Sequence, residues 1–68
     1  MEEIVLKKPY ITLGQLLQVS DLASSGAEAK ILVKKLDILV NETKENRRGR
    51  KLYANDIVEV KRRKFLIK

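Results

Sequence analysis

Hydrophobic positions recur at helical spacing in the first half of the 68-residue chain. Thr12-Leu13-Gly14-Gln15 has the form of a capping box, with Thr12 as the N-cap and Gln15 three positions later. Ser25-Gly26-Ala27-Glu28 repeats that form before a second apolar stripe. The stripe positions, which fit the i, i+3, i+4 rule, are Leu13, Leu16, Leu17 and Ser20 in the first segment and Ala29, Leu32, Val33 and Leu36 in the second. The sequence therefore predicts two short helices.

Beyond residue 37 the apolar period becomes two, which is typical of strands. The alternating apolar pairs are Ile38 with Val40 and Val58 with Val60. Asn41-Glu42 and Asn55-Asp56 are turn signals, because Asn tolerates the left-handed region. Ile4-Val5-Leu6 predicts a short edge strand before the helices. We therefore expect one α+β domain over residues 1–68, with two short helices followed by a small antiparallel sheet.

The net charge of +6 is distributed unevenly along the chain. Residues 1–33 carry a net charge of −1, whereas residues 34–68 carry +7. Such an asymmetry favours a positive surface that faces a polyanion. The alternative interpretation is a lysine-rich surface that only keeps the protein in solution.

Several functional classes are disfavoured by composition. The chain has no His and no Cys, and it shows no metal-ligand cluster, nucleophile elbow or phosphate-binding glycine loop. We therefore expect no catalysis, no metal, no cofactor and no small-molecule substrate. No apolar run is long enough to span a membrane, so we expect no membrane partner. The acidic start, Met1-Glu2-Glu3, does not resemble a signal peptide, and a cytoplasmic location is expected.

The strongest local signal is a basic segment, Arg47-Arg48-Gly49-Arg50-Lys51. Guanidinium groups form forked hydrogen bonds to phosphate oxygens and also stack on bases. Gly49 would let the backbone bend, so that the cations converge on one polyanion. Lys30 and Lys34 lie one turn apart on the second predicted helix and extend the candidate surface. A solvated loop with no ligand is the alternative.

A second basic segment, residues 61–64, is predicted to form a hairpin tip. Its alternative role is to protect an exposed strand edge. We expect residues 47–51 rather than this tip to carry most of the affinity for a polyanion, because three of the four cations in 47–51 are Arg. No series of aromatic residues accompanies the basic residues, which argues against a base-stacking platform.

In this order the motifs resemble the S-four (alpha-L) RNA-binding domain family, first named from a small-subunit ribosomal protein. The similarity covers about residues 11–60, including Leu13-Gly14-Gln15-Leu16-Leu17, Ile38-Leu39-Val40-Asn41 and Asn55-Asp56-Ile57-Val58. Residues 24–30 and 47–52 look most like the short, stand-alone YaaA-type members.

The resemblance implies binding of structured RNA, with ribosomal RNA and ribosome assembly or maturation as the expected setting. It implies that the two helices and the following loop form the RNA face. The expected contacts are Ser25, Gly26, Lys30, Lys34, Arg47, Arg48, Arg50 and Lys51. Thr12 and Gly26 stand where many members have Arg, so two common RNA contacts are missing. We therefore expect the loop to contribute more of the binding. Glu42 and Asn55 stand where glycine is usual, and Glu42 favours a different turn.

Two other functions stay open on the sequence. One is a protein-interaction module that docks on a ribosomal or other protein through a sheet edge and Ile31. The other is DNA binding, because two capped helices with a short connection superficially resemble a helix-turn-helix. The strands that follow and the bare surface of the second helix argue against DNA.

Overall fold

A computed structural model describes residues 1–68, and all of its helices and strands are short. The helices are α1 (Leu13–Val19) and α2 (Gly26–Lys35). The strands are β1 (Glu2–Ile4), β2 (Ile11–Thr12), β3 (Ile38–Val40), β4 (Thr43–Lys44), β5 (Lys51–Leu52), β6 (Ile57–Val60) and β7 (Arg63–Ile67). Both predicted helices and the α+β class are thus confirmed.

The two helix caps differ in detail. At α1 the capping box is complete, since the amide of Gln15 donates to Thr12 Oγ1 and the amide of Thr12 donates to Gln15 Oε1. At α2 the amide of Glu28 donates to Ser25 Oγ, as predicted. The Glu28 carboxylate, however, accepts from the amide of Ser24 at 2.7 Å instead of closing the box on Ser25. Both N-caps are confirmed, and the reciprocal bond of the second box is shifted by one residue.

The main sheet has five strands in the order β1-β7-β6-β3-β4. Its β6–β7, β3–β6 and β3–β4 pairs are antiparallel, as expected. β1 pairs with β7 in parallel, so the sheet is mixed rather than wholly antiparallel. The short strands β2 and β5 form a separate antiparallel ribbon. Pairings between the chain's beginning and its end are invisible to local sequence patterns, which explains this difference.

Six residues, none of them glycine, adopt positive φ. They include both residues of the Asn41-Glu42 turn, with φ of 50° and 69°. Paired positive φ values are the signature of a tight two-residue hairpin turn, in which glycine is favoured at the second position. The expectation that Glu42 specifies a different turn is therefore wrong. The Glu42 backbone takes the left-handed conformation that glycine would take, at some cost in strain.

The core contains 13 buried apolar residues. Twelve come from both helices and from β3, β5, β6 and β7, and the other, Ala23, lies in the connection between the helices. The predicted face of α1 is buried throughout, including Ser20. On α2, Ala29 and Val33 are buried, whereas Leu32 and Leu36 are only partly buried at the edge of the core. Ile31 is 54% exposed on the opposite side. Neither helix has the length and apolar character needed to cross a lipid bilayer.

Candidate nucleic-acid interface

The loop between β4 and β5 is held in place by the carboxylate of Glu45, which no sequence motif marks. The Glu45 side chain is only 7% exposed and forms ion pairs with two loop arginines. Arg47 binds it in a fork, with Nε 2.8 Å from Oε2 and Nη2 3.0 Å from Oε1. Arg50 Nη1 lies 2.9 Å from Oε1. The mutual repulsion of the loop cations is therefore partly relieved within the protein.

These contacts hold Glu45 strongly in its charged form. The hydrogen bond from Arg47 is the main cause that lowers the pKa of Glu45 from 4.5 to about 2, although burial works against it. The Arg50 guanidinium and the Arg47 backbone amide act in the same direction. At neutral pH the loop is thus fixed by a full negative charge, and the Arg47 side chain is still 70% exposed.

The same loop is also fastened to the beginning of α1. The first amides of a helix have no acceptor within the helix. Here the amide of Leu13 donates to the carbonyl of Arg50 at 2.8 Å, and the amide of Gly14 donates to the carbonyl of Arg48 at 2.9 Å. The N-terminus of α1 is therefore closed by the loop and cannot receive a ligand's phosphate.

Gly14 provides the space for the Arg48 side chain. A Cβ atom at Gly14 would lie 2.5 Å from Arg48 Cγ, a separation that side chains do not tolerate. Arg48 is exposed and forms no ion pair. It is thus the loop arginine most available to a ligand. Gly49, by contrast, has a negative φ and open space around it, so the expected conformational need for glycine there is not borne out.

Helix α2 presents the other predicted contacts. Gly26, Lys30 and Lys34 are spaced at i, i+4 and i+8 and so form one stripe along the helix. Gly26 lines an open depression together with Arg48, Gly49 and residues of α1. At the far end, Lys34 lines a second depression with Glu45 and Asn46. The stripe therefore runs beside the loop, with Lys30 between the two depressions.

The N-terminus of α2 is open where that of α1 is closed. The hydroxyl of Ser25 is engaged as the cap, but the amides of Gly26 and Ala27 have no acceptor in the protein. These amides, and the positive end of the helix dipole, can receive a negatively charged oxygen. Gly26 thus lies beside Arg48, and Lys34 lies beside the base of the loop that carries Arg47 and Arg50. The assignment of the predicted residues as RNA contacts stays a prediction.

Lys51, the eighth predicted residue, lies slightly apart on the β2–β5 ribbon. Its Nζ is 4.9 Å from the centre of the Tyr10 ring, which in turn lies 5.9 Å from the ring of Tyr53. This aromatic pair was not predicted from the sequence, because the two tyrosines are far apart in the chain. Only the pairing of β2 with β5 brings the two rings together, and no local sequence pattern reveals that pairing.

The predicted basic tip is smaller than the sequence indicated. Only Lys61 and Arg62 form the turn, with φ of 50° and 65°. Arg63 belongs to β7 and binds both carboxylate oxygens of Glu2 at 2.7 and 2.8 Å, as well as the carbonyl of Ser20. Its guanidinium therefore links β7 to β1 and to the C-terminal end of α1. Two unpaired cations remain at the tip, on a hairpin separate from the loop.

No group of His, Cys, Asp and Glu side chains in the structure could hold a metal ion. The largest of the described depressions lies open on the surface and is lined mainly by charged residues. The chemistry that this surface offers is the binding of anionic oxygens by guanidinium, ammonium and amide groups.

Comparison with known proteins agrees with the motifs. A family model described as the S4 domain matches residues 4–68. The chain is also 49% identical over 57 residues to a Bacillus subtilis (strain 168) protein named "Probable ribosome maturation protein RlbA". That alignment covers 84% of this chain and 80% of the relative. The resemblance seen in the sequence is confirmed, and the chain belongs to the S4 domain family.

Proposed function

We propose that this protein binds structured RNA through a surface formed by the loop of residues 45–51 and helix α2. One observation carries this proposal: the unpaired Arg48 and the open amide end of α2 line the same depression. A guanidinium group and free amides facing one cavity are suited to a phosphate group. Lys30 and Lys34 continue the positive stripe along the helix.

The expected mode of recognition is contact with the RNA backbone and its geometry. In A-form RNA the base edges lie in a deep, narrow groove that side chains cannot read. A rigid basic surface can nevertheless follow the phosphates. Rigidity is supplied here by the Glu45 ion pairs and by the hydrogen bonds between the loop and α1.

Glu45 gives the loop arginines unequal roles. Arg50 is 32% exposed and held by Glu45, so its main contribution is to position the loop. Arg47 keeps a largely exposed side chain and can share its guanidinium between Glu45 and a phosphate. Arg48 is free of intramolecular ion pairs and is expected to supply the strongest single contact. Lys51 adds positive charge at the end of the loop.

We further propose a role in ribosome maturation, with ribosomal RNA as the ligand. The support is the printed name of the Bacillus subtilis relative together with the shared family. Such a role is non-catalytic and cytoplasmic, and it allows contacts with ribosomal proteins. The protein-interaction alternative rests on Ile31 and the open sheet edge at β4, and no feature of the structure favours duplex DNA.

Crosslinking in cells, followed by sequencing of the bound RNA, tests the proposal. We expect recovery of ribosomal RNA, with crosslinks at one structured region. A matched experiment with Arg48→Gln should lower the yield, whereas Arg62→Gln at the tip should not. In vitro, structured RNA should displace a labelled RNA hairpin far better than duplex DNA does. Recovery of proteins without RNA, or equal competition by DNA, would contradict the proposal.

A further inference from the structure

The β2–β5 ribbon has an inner and an outer face. Ile11 pairs with Leu52, and Thr12 pairs with Lys51. Leu52 is fully buried, and Ile11 packs against the core. Because side chains alternate along a strand, the residues on either side of Ile11 and Leu52 point outward. The outer face thus carries Tyr10, Thr12, Lys51 and Tyr53.

The ribbon's register explains why the two tyrosines meet. Continued by one residue beyond Ile11 and Leu52, the antiparallel register places Tyr10 opposite Tyr53. Lys51 is then the diagonal neighbour of Tyr10, within reach of a long side chain. The observed ring separation of 5.9 Å and the ammonium at 4.9 Å from the Tyr10 ring agree with this arrangement.

Tyr53 is exposed and held in a fixed position. The residue is half exposed (50%), more than Tyr10 at 37%. Its amide donates to Asp56 Oδ2 at 2.8 Å, and its carbonyl accepts from the amide of Asp56 at 3.0 Å. A tight turn therefore fixes the backbone from which the ring projects, which lowers the entropic cost of binding.

The surroundings of the Tyr53 ring are strongly basic. An open depression is lined by Tyr53 together with Arg47, Gly49, Arg50 and Lys51. Gly49 also lines the neighbouring depression that contains Arg48 and Gly26. Because Gly49 has no side chain, no side chain separates the two depressions where they meet. A single ligand can therefore extend from the α2 side of the loop to the tyrosine side.

We propose that Tyr53, supported by Tyr10, stacks an unpaired base of the RNA whose phosphates the loop binds. An exposed aromatic ring beside cations suits a nucleotide, which offers a π-face and a phosphate together. An apolar peptide segment would have to place its backbone among three cations and a glycine, which the charge disfavours. This inference rests on the proposed function and adds that the ligand has an unpaired nucleotide next to its duplex.

Tyrosine fluorescence offers a direct test, since the chain has two Tyr and no Trp. The probes are a blunt RNA hairpin and the same hairpin with unpaired adenosines at its 3′ end, at its 5′ end or in a bulge. We expect one of the unpaired forms to quench the emission and to bind about tenfold more tightly than the blunt form. Tyr10→Phe leaves Tyr53 as the emitter and should preserve the quenching.

The variant pair Tyr53→Phe and Tyr53→Ala separates the ring from the hydroxyl. Phe should keep the preference for the unpaired form, and Ala should abolish it without changing affinity for the blunt hairpin. Circular dichroism melts verify that both variants are folded. Salt-dependent binding of all the RNAs by the unaltered protein, with no preference and no quenching, would overturn the inference while leaving the proposed function intact. Absence of RNA binding altogether would overturn both.

Discussion

Replacement of Glu45 by Gln tests the internal ion pairs that position the loop. Gln keeps the size of the side chain and one oxygen acceptor, but it removes the charge that Arg47 and Arg50 share. The carboxylate is nearly buried and all of its oxygens are hydrogen-bonded. The two arginines would then be left beside each other without a counter-charge, and the loop should loosen.

The size of the effect follows from the pKa. Lowering the Glu45 pKa from 4.5 to about 2 corresponds to at most about 3.5 kcal/mol of stability, because one pKa unit equals about 1.4 kcal/mol. Arg47 is 70% exposed, so solvent screens its share. We therefore expect Glu45→Gln to lower the free energy of unfolding by about 1–2 kcal/mol at pH 7.

Urea unfolding of the two proteins between pH 7 and pH 2 supplies the measurement. Since the folded-state pKa is lowered, the contribution of Glu45 is present above pH 4.5 and is lost as the pH falls toward about 2. The difference between the two proteins should shrink over that interval. Glu42→Gln removes the same charge from an exposed turn without ion pairs and should change little. Equal stability at pH 7, or a difference independent of pH, would mean that the Glu45 ion pairs do not stabilise the fold.

Three further changes test the fold. Val33→Ala should lower the free energy of unfolding by about 2 kcal/mol because Val33 is 1% exposed, whereas Lys34→Ala should lower it by less than about 0.5 kcal/mol. Equal melting temperatures of the two variants would mean that the buried face of α2 is misassigned. Glu42→Gly should stabilise the protein by about 1 kcal/mol by relieving its positive φ, and a loss in urea unfolding would argue against strain there. Arg63→Gln should lower the melting temperature more than Arg62→Gln, because only Arg63 binds Glu2 and Ser20; the reverse order would contradict the role given to that contact.

Local patterns in the sequence were sufficient for the helices, their N-caps and the antiparallel hairpins. Capping boxes and apolar periods act over a few residues, so Thr12 and Ser25 could be assigned directly. The parallel pairing of β1 with β7 joins the two ends of the chain, and no local pattern encodes it. Helical spacing predicts which side of α2 faces the core but not where the core ends, and Leu32 on that side is only partly buried.

The sequence predicted the cations of the candidate site, but it did not predict the contacts that position them. Arg47, Arg48 and Arg50 look equivalent in sequence, yet Glu45 engages two and leaves Arg48 free. Glu45 is one acidic residue among nine and carries no motif. Tyr10 and Tyr53 likewise become a pair only through strand register. Replacing all three arginines together would leave the buried Glu45 carboxylate without a counter-charge and would destabilise the fold. Variants that keep Arg47 and Arg50 are therefore better tests of RNA binding.

The salt dependence of RNA affinity shows most directly whether the loop and α2 bind the RNA backbone. For contacts with about four phosphates, log affinity should fall with log salt at a slope of roughly −3 to −4. The double variant Lys30→Gln with Arg48→Gln leaves the Glu45 ion pairs and both tyrosines intact, and it should reduce the steepness by about 1.5. Lys61→Gln with Arg62→Gln removes the same charge at the tip and should leave the slope nearly unchanged. A larger loss of slope from the tip variant than from Lys30→Gln with Arg48→Gln, with both proteins folded, would contradict the assignment of the RNA surface to the loop and α2.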